Sequence, residues 1–213
     1  LIWLLSIKIE YEGNFKNSTS CNLFVSNHIS YLDIPILGSM VPLRFVAKSE
    51  VKHWPILGSL SKLASTIFIK RVRLDSLFQK NKIFNLLSEG KKLLIFPEGT
   101  TSDGNRVLPF KSSLFSALEN KNFIIQPLII IYSDLNGMPI NRWLRPIIAW
   151  YGDMELMPHL SILKNIKSID VKIIYLNPVN TMNFSNRKEL SNHLEQQIHE
   201  AYSAAGSRKK FAE

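Results

Sequence analysis

The sequence predicts an α/β protein: one domain built on a mostly seven-stranded mixed sheet flanked by helices. Three observations carry this. Seven short apolar runs, rich in isoleucine, valine and phenylalanine, are spread along 213 residues. Helical periodicity fills several of the gaps between them. No internal repeat, low-complexity tract or linker divides the chain, and its length supplies one good core.

Taken in order, the chain opens on LIWLLSI, which suits the end of a hydrophobic membrane-associating segment or, equally, a core strand or helix. Residues 1–20 are therefore set apart as the remnant of a membrane-associating segment, and 21–213 as the domain proper. The expected strands are CNLFVS (21–26), LRFVAK (43–48), TIFI (66–69), LLIF (93–96), FIIQPLIIIY (123–132), RPIIAW (145–150) and VKIIYL (171–176). They alternate little between apolar and polar, as strands covered on both faces do. Over 74–89, Leu74, Leu77, Phe78, Phe84 and Leu87 fall near one helical face, and Gly90 stands where a helix stops. Near the end, Leu190, Leu194 and Ile198 step by four from an Asn186/Glu189 cap-like pair.

Composition narrows the function. With 46% apolar and 20% charged residues the chain is globular, not disordered. Its single cysteine, Cys21, forms no internal disulfide, which fits a reducing compartment, and nothing resembles a zinc site. A net charge of +9 attracts something anionic: nucleic acid, a membrane surface or phosphorylated small molecules. No apolar run reaches the length of a transmembrane helix, and the start lacks the charged region and cleavage site of a signal peptide. The sequon Asn17-Ser18-Thr19 reads as a chance match.

The stretch FVSNHISYLDIPIL (24–37) runs from apolar residues into Asn27-His28, with Asp33 five positions after the histidine. It has two readings. Ser30 and Asp33 suit a helix start, Ser30 as N-cap and the acid in the first turn. Alternatively, Asp33 orients His28 as a general base. An i,i+5 pair does not stack on one helical face, so the second reading requires His28 before the helix and Asp33 in its first turn. In LIFPEGTTSDG (94–104), Pro97 and Gly99 force a tight turn whose N–H groups and Thr100 hydroxyl suit a phosphate. Glu98 there would repel phosphate and suits hydroxyl groups. IFIKR ends in Arg71, a planar fork for phosphate. Ligands of α/β sheets sit outside the strands' carboxyl ends, and three different runs deliver polar residues there.

Together, NHISYLD, FIKR and FPEGT, followed by FKSSLF (110–115) and IIQPLIII, resemble the ordered blocks of the glycerophosphate and lysophosphatidate acyltransferase family across nearly all of 20–180. WYGDMELMPHL looks most like bacterial members acylating lysophosphatidate or lyso-ornithine lipid. The resemblance implies the family's α/β fold. It also implies transfer of a fatty acyl chain from a thioester, acyl-CoA or acyl-carrier protein, to the free hydroxyl of a lysophospholipid. The expected acceptor is 1-acyl-sn-glycerol-3-phosphate, giving phosphatidic acid, with lyso-ornithine lipid as the alternative. His28 is the implied base and Asp33 its partner, while Arg71, Glu98, Gly99 and Thr100, and less directly Lys111, map onto acceptor-binding positions. Asn27 is at most a positioning residue. No metal and no bound cofactor are implied. The expected partners are both substrates and an anionic membrane surface, at the cytoplasmic face of the inner membrane, without nucleic acid.

The chain departs from the family pattern at Ala64-Ser65-Thr66, where a small glycine is usual, at Lys70, where an acid is common, and at Ser113, where glycine is common. These changes bear on the headgroup bound. Against other classes, no nucleic-acid motif accompanies the scattered cations, although a non-catalytic basic membrane-binding module fits the charge. No G-x-S-x-G elbow supports a serine hydrolase, and Cys21 lacks an activating neighbour in sequence.

Overall fold

The computed structural model describes residues 6–13, 21–48, 67–69 and 77–208. Among these residues, nine strands form one mixed sheet, seven of them in the order β1-β8-β6-β2-β5-β3-β4. They are β1 (Ile7–Glu12), β2 (Leu23–Ser26), β3 (Arg44–Lys48), β4 (Ile67–Ile69), β5 (Leu93–Ile95), β6 (Ile124–Leu135) and β8 (Ile169–Tyr175). The short β7 (Met138–Pro139) and β9 (Val179–Asn180) both pair with β6. The helices are α1 (Asp33–Gly38), α2 (Leu77–Ser88), α3 (Arg145–Ile148), α4 (Leu156–Leu163) and α5 (Arg187–Arg208), with a 3-10 helix at Ser112–Leu118.

β2 is parallel to both β5 and β6, β3 is parallel to β5, and β8 runs antiparallel to β6 with β1 parallel to it. The carboxyl ends of β2, β5 and β6 therefore point the same way as the amino ends of β8 and β1. Successive strand residues face opposite layers. Phe24 joins one core with Ile36 and Leu37 of α1, Ile148 of α3 and Leu163 of α4. Leu23 and Val25 join the other, with Ile83 and Leu87 of α2, Phe115, and Leu190, Leu194 and Ile198 of α5. The sheet is thus covered on both faces, as its unbroken apolar runs require.

Both long helices follow their sequence signals. α2 ends where Gly90 turns left-handed, its N–H bonding to the Leu87 carbonyl and that of Lys91 to Leu86. At the start of α5 the Asn186 side chain accepts from the Lys188 and Glu189 amides, and Glu189 reaches back to Ser185 N–H.

Two expectations are corrected. RPIIAW (145–150) opens with α3 instead of forming a strand. Asn141 Oδ1 accepts from the Trp143 and Leu144 amides and opens a turn, and Pro146 near the helix start suits helical φ. One helical turn buries Ile148 and brings Ala149 in behind it, so the apolar run is satisfied without a strand. Conversely, IKIEYE forms the edge strand β1, and the sheet draws in residues 7–12 that the sequence set apart. Lys172 on β8 bonds Glu12 on that strand at 2.6 Å.

Candidate active site

β2 ends at Ser26 and the chain turns at Asn27, whose buried amide exchanges hydrogen bonds with the backbone of Ile130 on β6. That clamp sets the height of His28 above the sheet. His28 precedes α1 and Asp33 opens it, the arrangement that the five-residue spacing requires. His28 Nδ1 lies 2.7 Å from Asp33 Oδ2. The same oxygen accepts from the backbone N–H of Ile29 at 2.7 Å and of Ser30 at 3.1 Å. Tyr132 of β6 donates to Oδ1 at 2.6 Å. Asp33 is wholly buried, and these donors stand in for water around its charge. A carboxylate accepts, so Nδ1 carries the proton and Nε2 is left as the basic nitrogen, turned away from Asp33.

One carboxylate therefore answers both readings of the motif: it closes the helix start and holds the histidine. The cap is corrected in detail. Leu32, not Ser30, occupies the N-cap position, and Ser30 Oγ reaches only the Leu32 amide, at 3.4 Å. The imidazole stacks on Phe96 with ring centres 3.9 Å apart, and its side chain stays 15% exposed.

The PEGT turn brackets the same histidine from β5. Glu98 Oε1 accepts from His28 N–H at 2.7 Å and Oε2 from Leu108 N–H at 2.9 Å. The residue is 1% exposed, so its carboxyl faces inward and braces the backbone on either side of the site. An acceptor-facing role for Glu98 is not what this geometry provides. Burial outweighs the two N–H donors and pushes its pKa up to about 8. Gly99 has a φ of +66°, and a Cβ added there would lie 2.7 Å from Lys111 Nζ. Lys111 is tied to the turn by its N–H to the Pro97 carbonyl, so its ammonium lies across the glycine. Thr100 is exposed beside it. Arg71 lies outside the described residues.

Several residues at the site went unread in sequence. Tyr132 closes the run FIIQPLIIIY, and a polar ring at the end of an apolar strand was the available signal. Tyr31, between His28 and Asp33, places its hydroxyl 2.9 Å from Nδ1 of His159 on α4. Both are buried, and burial lowers the His159 pKa and raises that of Tyr31, so a phenol and a neutral imidazole share this hydrogen bond. His159 belongs to WYGDMELMPHL, and the backbone N–H of Trp150 in the same stretch donates to the Ile29 carbonyl. From α5, Glu195 accepts from Phe110 N–H and Tyr202 donates to the Gly104 carbonyl, steadying the 104–110 loop. Cys21 is buried just before β2. Among the described residues no cluster of His, Cys, Asp and Glu could hold a metal ion.

The sequence model of the acyltransferase family matches residues 7–131. The chain belongs to this family. Among similar proteins, the lyso-ornithine lipid O-acyltransferase of Brucella abortus is 40% identical over 184 residues, covering 83% of this chain and 69% of its own length. The 1-acyl-sn-glycerol-3-phosphate acyltransferase of Neisseria gonorrhoeae is 30% identical, covering 83% and 67%. The crystal structure of the 1-acyl-sn-glycerophosphate acyltransferase PlsC from Thermotoga maritima superimposes with a TM-score of 0.68 over 95% of this chain and 73% of that one, at 22% identity. The likeness is one of fold. The acyltransferase carries its histidine and aspartate just past the carboxyl end of β2.

Proposed function

We propose that this acyltransferase moves a fatty acyl chain from an acyl thioester to the free hydroxyl of a lysolipid, with lyso-ornithine lipid as the acceptor and lysophosphatidate as the second reading. The observation that carries the chemistry is the His28–Asp33 contact at 2.7 Å with its buried, fully engaged carboxylate. His28 Nε2 takes the proton from the acceptor hydroxyl as that oxygen attacks the thioester carbonyl. The tetrahedral intermediate collapses, the C–S bond breaks, and the imidazolium returns its proton to the leaving thiolate. Asp33 holds the tautomer and stabilises the imidazolium between these steps. The histidine regains its starting state, and no group outside the two substrates is consumed. Gly99, Thr100 and Lys111 form the headgroup side of the pocket, the family resemblance adds Arg71 to the acceptor-binding set, and Lys111 over the PEGT turn offers a cation to a carboxylate or phosphate.

Lyso-ornithine lipid leads because the relative bearing that name is 40% identical, against 30% for the lysophosphatidate enzyme. The second reading keeps its place through the latter. The donor is acyl-CoA or acyl-carrier protein, and the site of action is the cytoplasmic face of the membrane, where the basic surface meets anionic lipid. The test offers purified protein both lysolipids with both thioester types. Faster acylation of lyso-ornithine lipid supports the assignment, preference for lysophosphatidate reverses it, and transfer to neither overturns it. His28→Ala is expected to fold and to lose about a hundredfold or more in transfer rate. Turnover near that of the parent protein would remove His28 from the role of base.

A further inference from the structure

We propose that the acyltransferase docks on an anionic lipid bilayer through one defined face: the β6–β7 hairpin, the segment leading into α3 and the outer side of α4. This deepens the proposed function, since it rests on the acceptor being a lipid. The first observation is apolar exposure. Met138 is 56% exposed, Trp143 86%, Met157 58% and Ile162 46%. Single exposed apolar side chains need no explanation, but these stand on adjoining elements. The Asn136-Gly137 turn of the hairpin is left-handed at both residues, and Asn136 Oδ1 accepts from the Lys167 and Ser168 amides just after α4. α3 packs against α4, and Asn141 holds the turn that presents Trp143. On α4, His159 and Leu163 face the core, while Met157, Pro158, Ser161 and Ile162 are turned out.

The second observation is topological. This face lies at the catalytic end of the sheet. Extending the β2–β6 register, in which Ser26 pairs with Leu128, puts Ile130 level with His28 and Leu135 five residues further on. At strand spacing the hairpin thus projects roughly 15 Å past the level of the histidine. β8 and β1 both begin at this end, and the Ser6 carbonyl there accepts from Ile169 N–H. In the sequence the apolar run LIWLL directly precedes Ser6. By contrast, exposed Ile124 and Met182 sit at the opposite end, beside the amino terminus of β6.

Charge selects the occupant. Arg142, Lys164 and Lys167 are exposed on these elements; the acids of the same region are Asp153 and Glu155 at the amino-terminal end of α4 and the half-buried Asp134 opposite Pro139 in the hairpin. Exposed apolar side chains with cations beside them and a largely exposed tryptophan match a headgroup region of anionic lipid. A second copy would set these cations against their own symmetry mates. A bilayer does not, and it delivers the acceptor to the end of the sheet where His28 stands.

The test is flotation of the purified protein with vesicles of phosphatidylcholine and phosphatidylglycerol, comparing the parent with Trp143→Glu/Ile162→Glu and, separately, Lys164→Glu/Lys167→Glu. All four positions are exposed, and circular dichroism and thermal melts check that the variants fold. Each pair is expected to weaken vesicle binding by about tenfold or more. Transfer to a short-chain acceptor dispersed in detergent should stay near the parental rate. Undiminished flotation of both folded variants overturns the proposal. So does a parent that elutes as a dimer without lipid and becomes monomeric on Trp143→Glu. Binding needs no turnover, so a protein that docks through this face yet acylates neither lysolipid refutes the proposed reaction and leaves the face standing.

Discussion

At the scale of single residues, the site is a set of buried acceptors, each matched by a donor, and two of them give direct predictions. Tyr132→Phe removes the donor on Asp33 Oδ1 while keeping the ring in the core. A hydrogen bond to a buried charge is worth about 1.5–3 kcal/mol, so stability is expected to fall by that order, with a drop in kcat and little change in thioester KM. Chemical denaturation and initial rates read both, and unchanged values would mean that water replaces the phenol. Glu98 gives the second. Its carboxyl titrates near 8 in the fold against the ordinary carboxylate range in the unfolded chain, so the folded state holds the extra proton between about pH 4.5 and 8. The contribution of Glu98 to stability is therefore present at the acid side of this window and lost as pH rises through it. Glu98→Gln carries no such proton. The Tm advantage of the parent over this variant is expected to be larger at pH 5 than at pH 8, and an advantage independent of pH would place the titration elsewhere. The His28–Asp33 contact and the PEGT turn were legible because each is made within a few residues of sequence, one by a five-residue spacing and the other by proline and glycine. Tyr132 and Phe96 were not, since an aromatic at the end of an apolar run is ordinarily core.

At the scale of elements, the sequence announced whatever a local rule controls. The stop of α2 at Gly90 and the cap of α5 at Asn186 are contacts within a few residues of each other, and both were readable. RPIIAW and IKIEYE were not, because tertiary partners decided them. Asn141 and the surface of α4 make a turn of helix from the first, and pairing with β8 makes a strand of the second. The Asn136-Gly137 pair was an available hairpin signal that went unread. The bond between Tyr31 and His159 spans 128 residues and had no local signature beyond the motif that contains the histidine. It ties α4 to the loop that carries His28 and Asp33. Tyr31→Phe is accordingly expected to lower kcat several-fold while both KM values hold, and His159→Gln, which keeps an acceptor, to retain more kcat than His159→Leu. Equal loss in the two His159 variants would reduce the pair to packing.

At the scale of the whole molecule, the sheet's direction and the net charge combine into one working arrangement. The parallel strands β2 and β5 and the long β6 deliver the dyad, the PEGT turn and the hairpin to one end, and α2, α5 and the smaller helices bury the two faces. The charge of +9 is spread along the chain and is of little use to the proposed proton transfer, which rests on His28 and the buried Asp33. Under the docking proposal it acts at long range, on an anionic surface. Such attraction is screened within about 8–10 Å at physiological salt and faster above it. Raising salt from about 50 to about 500 mM should therefore raise the apparent KM for acceptor carried in anionic vesicles by about tenfold or more, through weaker docking. kcat on those vesicles should hold, because the His28–Asp33 contact is buried and little screened. Acceptor dispersed in neutral detergent should show almost no salt effect. A fall in kcat with salt on both presentations would instead place the sensitive charges inside the pocket, with Lys111 at the PEGT turn the first to suspect.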